Sequence, residues 1–168
     1  LFKAPVSTPE YTPSEASDII KSKSPISKDW DVFSLGVLVY EILCGIHPYV
    51  GSAKPPFESL NTIQEKIKVN LTHIIKGESI FSVLPPLHKS FYDYDTDLIN
   101  IFKKIFSPYI LNASERPSLE DFGGTLFNAV ALLEVELEKE EKKRLKQEKI
   151  KKKLEEKEAL KNYKNLKN

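Results

Sequence analysis

Residues 28–45, KDWDVFSLGVLVYEILCG, decide the fold because they carry the features of one buried helix. Asp29 suits the N-cap position, since its carboxylate can accept hydrogen bonds from the free amides of the first turn. Gly45 suits the end of the helix, because glycine readily adopts the left-handed conformation that closes helices. Pro48 then prevents a restart. Between these ends nearly every side is apolar, which predicts a central helix buried on all sides.

Two acidic residues lie within this helix. Glu41 interrupts the apolar run, which is also shorter than the ~20 residues that span a bilayer, so we expect no membrane segment. Asp31 lies in the first turn, where burying a charge is costly unless it is paired or hydrogen-bonded. Either Asp31 has a polar partner, or the helix dipole alone stabilises it as an ordinary first-turn acid.

The charges of the chain are distributed unevenly. The 168 residues carry a formal charge of +1 and 40% apolar content, which fits one ordinary domain with some extra length. Residues 1–133 contain 12 Lys/Arg and 15 Asp/Glu, whereas residues 134–168 contain 13 and 9. The sequence therefore predicts a mildly acidic body followed by a basic tail.

Cysteine and methionine content bear on the compartment and on the origin of the chain. Cys44 is the single cysteine, so no disulfide can form within the chain, and we expect a reducing, cytoplasmic compartment. The position of Cys44 in an apolar helix predicts a buried thiol. The sequence has no methionine, so we expect it to begin within a longer protein or to have been cut.

The rest of the body is predicted to be helical, and no strand pattern is evident. Apolar residues recur at three- and four-residue steps over 57–71, over 95–106 before Pro108, and over 118–133. Ser118 and Asp121 predict a capping box at the start of the last helix. Gly123 and Gly124 inside it each cost about 1 kcal/mol relative to alanine, which a close neighbour would explain. The expected fold class is all-α.

From Glu134 onward the apolar residues thin out and follow no heptad, which predicts a charged helical tail over 134–168. Pairs such as Glu138–Lys142 support helix formation. The tail is interpreted as a linker to a further domain, or as a weakly specified coiled coil that self-associates. Its Lys149–Lys153 stretch could also contact nucleic acid or anionic surfaces, but a solvated face is the favoured interpretation, so we expect no nucleic-acid partner.

Three ordered motifs resemble the protein kinase family. Residues 8–15, TPEYTPSE, resemble the end of the activation segment, T-P-E-Y-x-A-P-E. Residues 31–49 resemble the family's D-V-W-S-L-G-V-x-L-Y-E-L-L-x-G-x-x-P-F helix, with Phe33 in place of Trp. Residues 115–118, ERPS, resemble the R-P-S/T turn before the last kinase helix. The resemblance implies that 1–133 are the C-terminal half of the C-lobe of a eukaryotic-like Ser/Thr kinase of a divergent bacterial type, followed by the tail.

The resemblance implies roles for individual residues. The substrate-docking loop would consist of Thr8, Pro9, Glu10 and Tyr11, with the Thr8 hydroxyl reaching the catalytic aspartate. Asp31 would accept backbone amides of the catalytic loop and hold that loop rigid. Glu15 and Arg116, 101 positions apart, would form a buried ion pair, which requires their charged groups to lie within ~5 Å.

The parts of a kinase that carry out phosphoryl transfer are not in this sequence. It contains no G-x-G-x-x-G, no H-R-D and no D-F-G, so no catalytic residue is expected here. In the family these motifs precede Thr8, so ATP and Mg²⁺ would bind in the parent chain, with the missing N-lobe and catalytic loop. We expect this chain alone to bind no cofactor. Its three histidines, His47, His73 and His88, show no metal-site spacing.

Two functional interpretations remain open. The chain is either part of an active transferase that phosphorylates Ser/Thr hydroxyls of a protein substrate, or a pseudokinase or truncated kinase-like binding scaffold without catalysis. Intact H-R-D and D-F-G motifs upstream would favour the enzyme. In both cases we expect the chain alone to expose apolar surface that the missing C-lobe would cover, and to be marginally folded or to aggregate. An unrelated helical domain would require three ordered motif matches to arise by chance.

Overall fold

A computed structural model describes the backbone of residues 8–16, 29–107 and 116–165, and side chains as far as residue 157. Contacts divide the chain into two compact units, Leu1–Leu126 and Phe127–Asn168. The described residues are mostly helical, which confirms the helical content of the expected all-α class, but they also include two short strands. Among the described residues, no helix has the length and apolar character needed to cross a membrane.

Helix α1, Asp29–Cys44, confirms the predicted position of the central helix. Gly45 follows it with φ of +79°, and its amide donates to the carbonyl of Glu41 at 2.9 Å. The expectation of burial on all sides is wrong, because the described neighbours pack against one face only. Leu38 is 46% exposed and Ile42 81% exposed on the opposite face. The buried face consists of Trp30, Val32, Phe33, Gly36, Val37, Tyr40 and Cys44.

The single helix predicted over residues 57–71 is wrong. The structure instead has two short helices, α2 at Ile63–Lys68 and α3 at His73–Lys76. Thr62 and Glu65 form a capping box that starts α2. The break between α2 and α3 occurs at Asn70, which has a φ of +51°, a conformation that asparagine tolerates better than most residues. Buried Asn70 also accepts a hydrogen bond from the Tyr49 hydroxyl and donates to the Phe106 carbonyl, which fixes the break.

A small antiparallel sheet corrects the expectation of a purely α-helical body. Strand β1, Ser52–Ala53, pairs with β2, Phe81–Val83. Short 3-10 turns lie at Glu78–Ile80 and Phe91–Asp93. Strands of two and three residues are too short to show the alternation by which a strand is predicted from sequence.

The last two helices follow the predicted pattern. Helix α4, Thr96–Ile105, is capped by Asp95, whose carboxylate accepts the Asp97 amide at 2.8 Å. Helix α5, Leu119–Asn165, begins with the predicted contact, in which the Asp121 amide donates to the Ser118 hydroxyl at 3.0 Å. Helix α5 continues without interruption through the described part of the charged tail.

Aromatic side chains join the helices of the first unit. The Phe33 ring of α1 lies edge-on to Phe106, with centroids 5.3 Å apart. Phe102 of α4 contacts Phe122 of α5 at 5.4 Å and Phe91 at 5.0 Å. Edge-to-face pairs of this kind add about 0.5–1.5 kcal/mol beyond the burial of their area.

Glycines inside α1 and α5 differ in what surrounds them. A Cβ on Gly36 would lie 2.8 Å from the Ile105 Cγ2, so this glycine lets α1 approach α4 closely. A Cβ on Gly123 or Gly124 would have no heavy atom within 4 Å, so the close neighbour expected there is absent from the described residues.

Gly123→Ala and Gly124→Ala should each raise the free energy of unfolding by about 1 kcal/mol, because alanine restores helix propensity without a clash. Gly36→Ala is the matched control, since it makes the same change in another helix but meets Ile105. Urea titrations should show stabilisation at 123 and 124 and destabilisation at 36. Equal effects at all three positions would contradict this account.

Candidate functional site

The segment from Thr8 to Ala16 contains the predicted docking loop and packs against α1. Pro9–Tyr11 form one 3-10 turn, in which the Tyr11 amide donates to the Thr8 carbonyl at 3.0 Å. Proline at the first position suits this turn, because its fixed φ is already that of a helical residue.

Tyr11 anchors the segment to α1 at two points. Its hydroxyl donates to the Glu41 carboxylate, 3.0 Å from Oε2 and 3.2 Å from Oε1. Its carbonyl accepts a hydrogen bond from the Ser34 hydroxyl at 2.7 Å. The hydrogen bond to Glu41 is the main cause of the raised pKa of Tyr11, which keeps the phenol protonated as a donor.

His47, directly after α1, holds the turn from a third side. Its Nδ1 accepts the Tyr49 amide at 3.3 Å, so the proton lies on Nε2, which donates to the Glu10 carbonyl at 3.0 Å. The Tyr11 ring packs edge-on against the imidazole at 5.7 Å. Burial lowers the pKa of His47, which favours the neutral form that these two hydrogen bonds need.

The kinase resemblance implies that the Thr8 hydroxyl and the Asp31 carboxylate contact a catalytic loop, and both residues are exposed in this structure. Thr8 and Asp31 are exposed, and neither the Thr8 hydroxyl nor the Asp31 carboxylate has a hydrogen-bond partner among the described residues. The Glu10 carboxylate lies 3.5 Å from the Gln64 amide nitrogen. A partner for Asp31, one of the two predicted alternatives, is therefore not among the residues that the structure describes.

Glu15 and Arg116 are brought together, 101 residues apart in sequence. Arg116 Nη1 lies 2.6 Å from Glu15 Oε1, and the side chains are 2% and 25% exposed. The contact is an ion pair whose angles are not those of a hydrogen bond, because neither atom has a hydrogen-bond partner in the described part of the chain. The separation is within the ~5 Å on which the hypothesis depended.

Two further contacts hold the Arg116 side chain in place. Its Nε donates to the Ile105 carbonyl at the end of α4, at 3.1 Å. Its guanidinium carbon lies 5.4 Å from the centroid of the Phe33 ring in α1. Arginine suits this position because a planar cation can stack on a ring while its N–H groups bind oxygen atoms.

The sequence did not indicate three residues that hold the predicted docking loop in place: Ser34, Glu41 and His47. A signal was available for two of them, because Ser34 and Glu41 are seven residues apart and so share one face of α1. No sequence pattern indicated His47, whose contact with the Glu10 carbonyl joins residues 37 positions apart.

Comparisons with known proteins add no identification. A scan against protein-family models finds no match, and no curated protein matches the sequence. The described residues also contain no group of three or more His, Cys, Asp or Glu side chains that could hold a metal ion.

Removing the Tyr11 hydroxyl should loosen the docking loop. Tyr11→Phe loses the half-exposed hydrogen bond to Glu41, which should lower the free energy of unfolding by about 1 kcal/mol and speed proteolysis within residues 8–16. Tyr94→Phe is the matched control, because it removes a hydroxyl that donates to the Leu43 carbonyl at 2.8 Å, outside that segment. Equal proteolysis of the segment in both variants would contradict the anchoring role of Tyr11.

Proposed function

We propose that this chain is the distal part of the C-lobe of a Ser/Thr-type protein kinase, in which residues 8–11 receive the protein substrate. The observation that carries the proposal is the Glu15–Arg116 ion pair. It joins the TPEYTPSE segment to the ERPS turn, the two positions that the kinase resemblance pairs across the C-lobe.

Contacts among all three motifs support the same proposal. Tyr11 of the first motif binds Ser34 and Glu41 of the second, and Arg116 of the third packs on Phe33 of the second. Three motifs that matched by chance would have no reason to lie in mutual contact. A kinase C-lobe requires this convergence, because its docking loop must be fixed relative to the catalytic loop.

The outward-facing groups suit the roles that the resemblance gives them. An exposed carboxylate at the start of α1 can accept backbone amides from an added loop, and the Thr8 hydroxyl can both donate and accept. The parent chain would supply ATP, Mg²⁺, the catalytic aspartate and the N-lobe. The transfer itself, from ATP to a substrate hydroxyl, depends on positioning and charge stabilisation. The contribution proposed for this chain is to position the substrate and the catalytic loop.

The exposed apolar face of α1 also supports the proposal that the rest of a C-lobe packs against this chain. Leu38 and Ile42 are exposed on a helix whose other face is buried. An added catalytic loop and the rest of the C-lobe would cover such a face, and their burial would return about 25 cal/mol per Å² of apolar area.

The deciding experiment is a phosphoryl-transfer assay on the proposed parent protein, which would include the segment that precedes Thr8. With intact H-R-D and D-F-G motifs, we expect transfer from radiolabelled ATP to Ser/Thr peptides. Asp31→Asn should lower kcat about a hundredfold by misplacing the catalytic loop. Asp93→Asn, at an exposed position in the 3-10 turn, is the matched control and should leave kcat unchanged.

Two other outcomes of this experiment would contradict the proposed kinase function. A folded longer chain that lacks those motifs and binds protein partners without phosphorylating them would assign the scaffold function instead. An upstream sequence with no resemblance to the rest of a kinase would overturn the proposal.

A further inference from the structure

The turn that follows α1 holds the His47 side chain against the predicted docking loop. His47 is 8% exposed. Its carbonyl accepts the Val50 amide at 3.0 Å, and the Pro48 carbonyl accepts the His73 amide at 3.2 Å. The Val50 carbonyl also accepts a hydrogen bond from His73 Nε2 at 2.7 Å. These contacts fix residues 47–50 to α3, so the imidazole extends from a turn that is itself anchored.

The imidazole connects this turn to the docking loop through both of its nitrogen atoms. Nε2 donates to the Glu10 carbonyl at 3.0 Å, and Nδ1 accepts the Tyr49 amide at 3.3 Å. The ring also contacts the rings of Tyr11 and Tyr49, with centroids 5.7 Å and 5.8 Å away. A backbone carbonyl can only accept and a backbone amide can only donate. Both hydrogen bonds therefore require the neutral imidazole with its proton on Nε2.

A second proton on His47 is incompatible with this arrangement. Both nitrogen atoms of an imidazolium are donors, so the new Nδ1–H would point at the N–H of Tyr49. Two donors cannot hydrogen-bond to each other, so the charged ring must rotate away from the Tyr49 amide. Because the turn is fixed, a rotated ring no longer directs Nε2 at the Glu10 carbonyl. Protonation at Nδ1 therefore also removes the hydrogen bond to the docking loop.

We propose that His47 is a positioning residue that holds the docking loop in place when neutral and releases it when protonated. The loop that it holds includes Glu10 and Tyr11, two of the four residues to which the proposed function gives substrate docking. The effect on substrate rests on that proposed function, whereas the hold on the loop does not. The loop is then fixed at neutral pH and loosened in acid.

The surroundings of His47 act on its pKa in both directions. Burial is the largest cause and lowers the pKa, whereas the hydrogen bond to the Glu10 carbonyl and the carboxylates of Glu41 and Glu10 raise it. The net result is a pKa below the ordinary 6.5. His73 of α3 also interacts with His47, since a charge on His47 lowers the pKa of His73. The neutral form of His47 is therefore favoured while the loop is in place.

The sign of the pH dependence follows from this lowered pKa. A released loop leaves His47 solvated with its ordinary pKa of 6.5, so the released state binds a proton at higher pH than the docked state does. The docked state is therefore fully favoured above pH 6.5, and this preference is lost as the pH falls below it. Tyr11 and Tyr49, whose rings contact His47, have raised pKa values and do not change charge in this range.

Hydrogen–deuterium exchange of the full 168-residue chain at pH 7.5, 6.5 and 5.5 tests the proposal. His47→Gln is the reference, because glutamine can donate to the Glu10 carbonyl but does not titrate. The ratio of wild-type to variant protection in residues 8–16 should fall about fivefold from pH 7.5 to 5.5, against a limit of about tenfold for one pH unit below 6.5. Acid effects that arise at His73 are common to both proteins and cancel in this ratio.

Two further variants separate the hydrogen bond from packing and from other histidines. His47→Phe keeps a ring against Tyr11 but has no donor, so residues 8–16 should be about fivefold less protected already at pH 7.5. His88→Gln is the matched control, because His88 binds Glu78, outside that segment. The ratio of wild-type to His88→Gln protection should not change with pH. Equal pH profiles of residues 8–16 in the wild-type chain and His47→Gln would overturn the proposal.

An NMR titration of the wild-type chain tests the proposal without any variant. The His47 ring should show the Nε2–H tautomer at pH 7.5 and titrate with a midpoint below 6.5. The amides of Tyr11 and Thr12, which close the 3-10 turn, should shift with the same midpoint. A His47 midpoint at or above 6.5, or loop amides that follow a different group, would overturn the proposal.

Kinetics of the proposed parent protein separate the hold on the loop from its effect on substrate. Relative to His47→Gln, the wild-type KM for a peptide substrate should rise about fivefold from pH 7.5 to 5.5, with kcat unchanged. If exchange shows release of the loop while KM stays constant, the role of His47 in fixing the loop stands and the docking role of residues 8–11 is contradicted. Exchange that shows no release overturns the His47 proposal, whatever the parent protein catalyses.

Discussion

Replacing Glu15 with glutamine should lower the free energy of unfolding by about 3 kcal/mol. The substitution keeps the size of the side chain but removes its charge. The Arg116 guanidinium, whose side chain is 2% exposed, then has no compensating charge among the residues that the structure describes. Its remaining contacts, with the Ile105 carbonyl and the Phe33 ring, do not neutralise it. Urea unfolding at pH 7 followed by circular dichroism measures the effect.

A double-mutant cycle separates the ion pair from ordinary packing. Arg116→Met keeps an apolar stem against Phe33 and removes the positive charge. If the charges interact, the double variant Glu15→Gln/Arg116→Met should be destabilised by clearly less than the sum of the two single variants. Additive effects would show that the interaction between Glu15 and Arg116 adds nothing to the free energy of unfolding. The ion pair would then not stabilise the contact between the two motifs.

The sequence predicted those helices whose apolar pattern and end signals agree. α1, α4 and the start of α5 each combine a periodic stripe with a capping residue or a closing glycine. Residues 57–71 have the same periodicity, yet the chain turns at Asn70. That turn depends on hydrogen bonds to Tyr49 and Phe106, which come from other parts of the chain. Tertiary contacts of this kind override a local pattern.

Burial of α1 illustrates a second limit of sequence patterns. An apolar residue such as Ile42 indicates that its helix face is suited to burial. Whether that face is buried depends on which neighbouring elements are present. The described neighbours cover only the face that includes Val37 and Tyr40. Under the proposed function, the other face is the one that the rest of the C-lobe would cover.

The candidate site was located by motif resemblance rather than by periodicity. Thr8 to Tyr11 and the Glu15–Arg116 pair could be named because their residue types match an ordered pattern. His47 could not, because its role depends on the Glu10 carbonyl, and any residue could have placed a carbonyl there. Backbone acceptors leave no trace in a sequence.

Acidification should destabilise the fold through His73. This side chain is fully buried, and its Nε2 lies 2.7 Å from the Val50 carbonyl, which can only accept, so Nε2 carries the proton. Nδ1 is then the acceptor for the Tyr40 hydroxyl at 3.1 Å. Burial is the main cause that lowers the pKa of His73 from 6.5 to about 4, and the nearby His88 adds to it while Glu78 opposes it.

The sign of the pH dependence follows from this lowered pKa. Between pH 6.5 and about 4 the unfolded chain binds a proton at His73 that the folded chain does not bind. Stability is therefore fully present above pH 6.5 and falls as the pH falls, by about 3 kcal/mol across the window. The lowered pKa of His47 acts in the same direction.

Urea titrations at pH 7, 5.5 and 4 measure this loss, with His73→Gln as the reference. Glutamine can donate to the Val50 carbonyl and accept from Tyr40 but does not titrate. The difference in unfolding free energy between the wild-type chain and the variant cancels the contributions of the carboxylates. This difference should shift by about 3 kcal/mol toward the variant as the pH falls from 7 to 4. Parallel pH profiles would show that His73 accepts its proton in the folded state as readily as in the unfolded one.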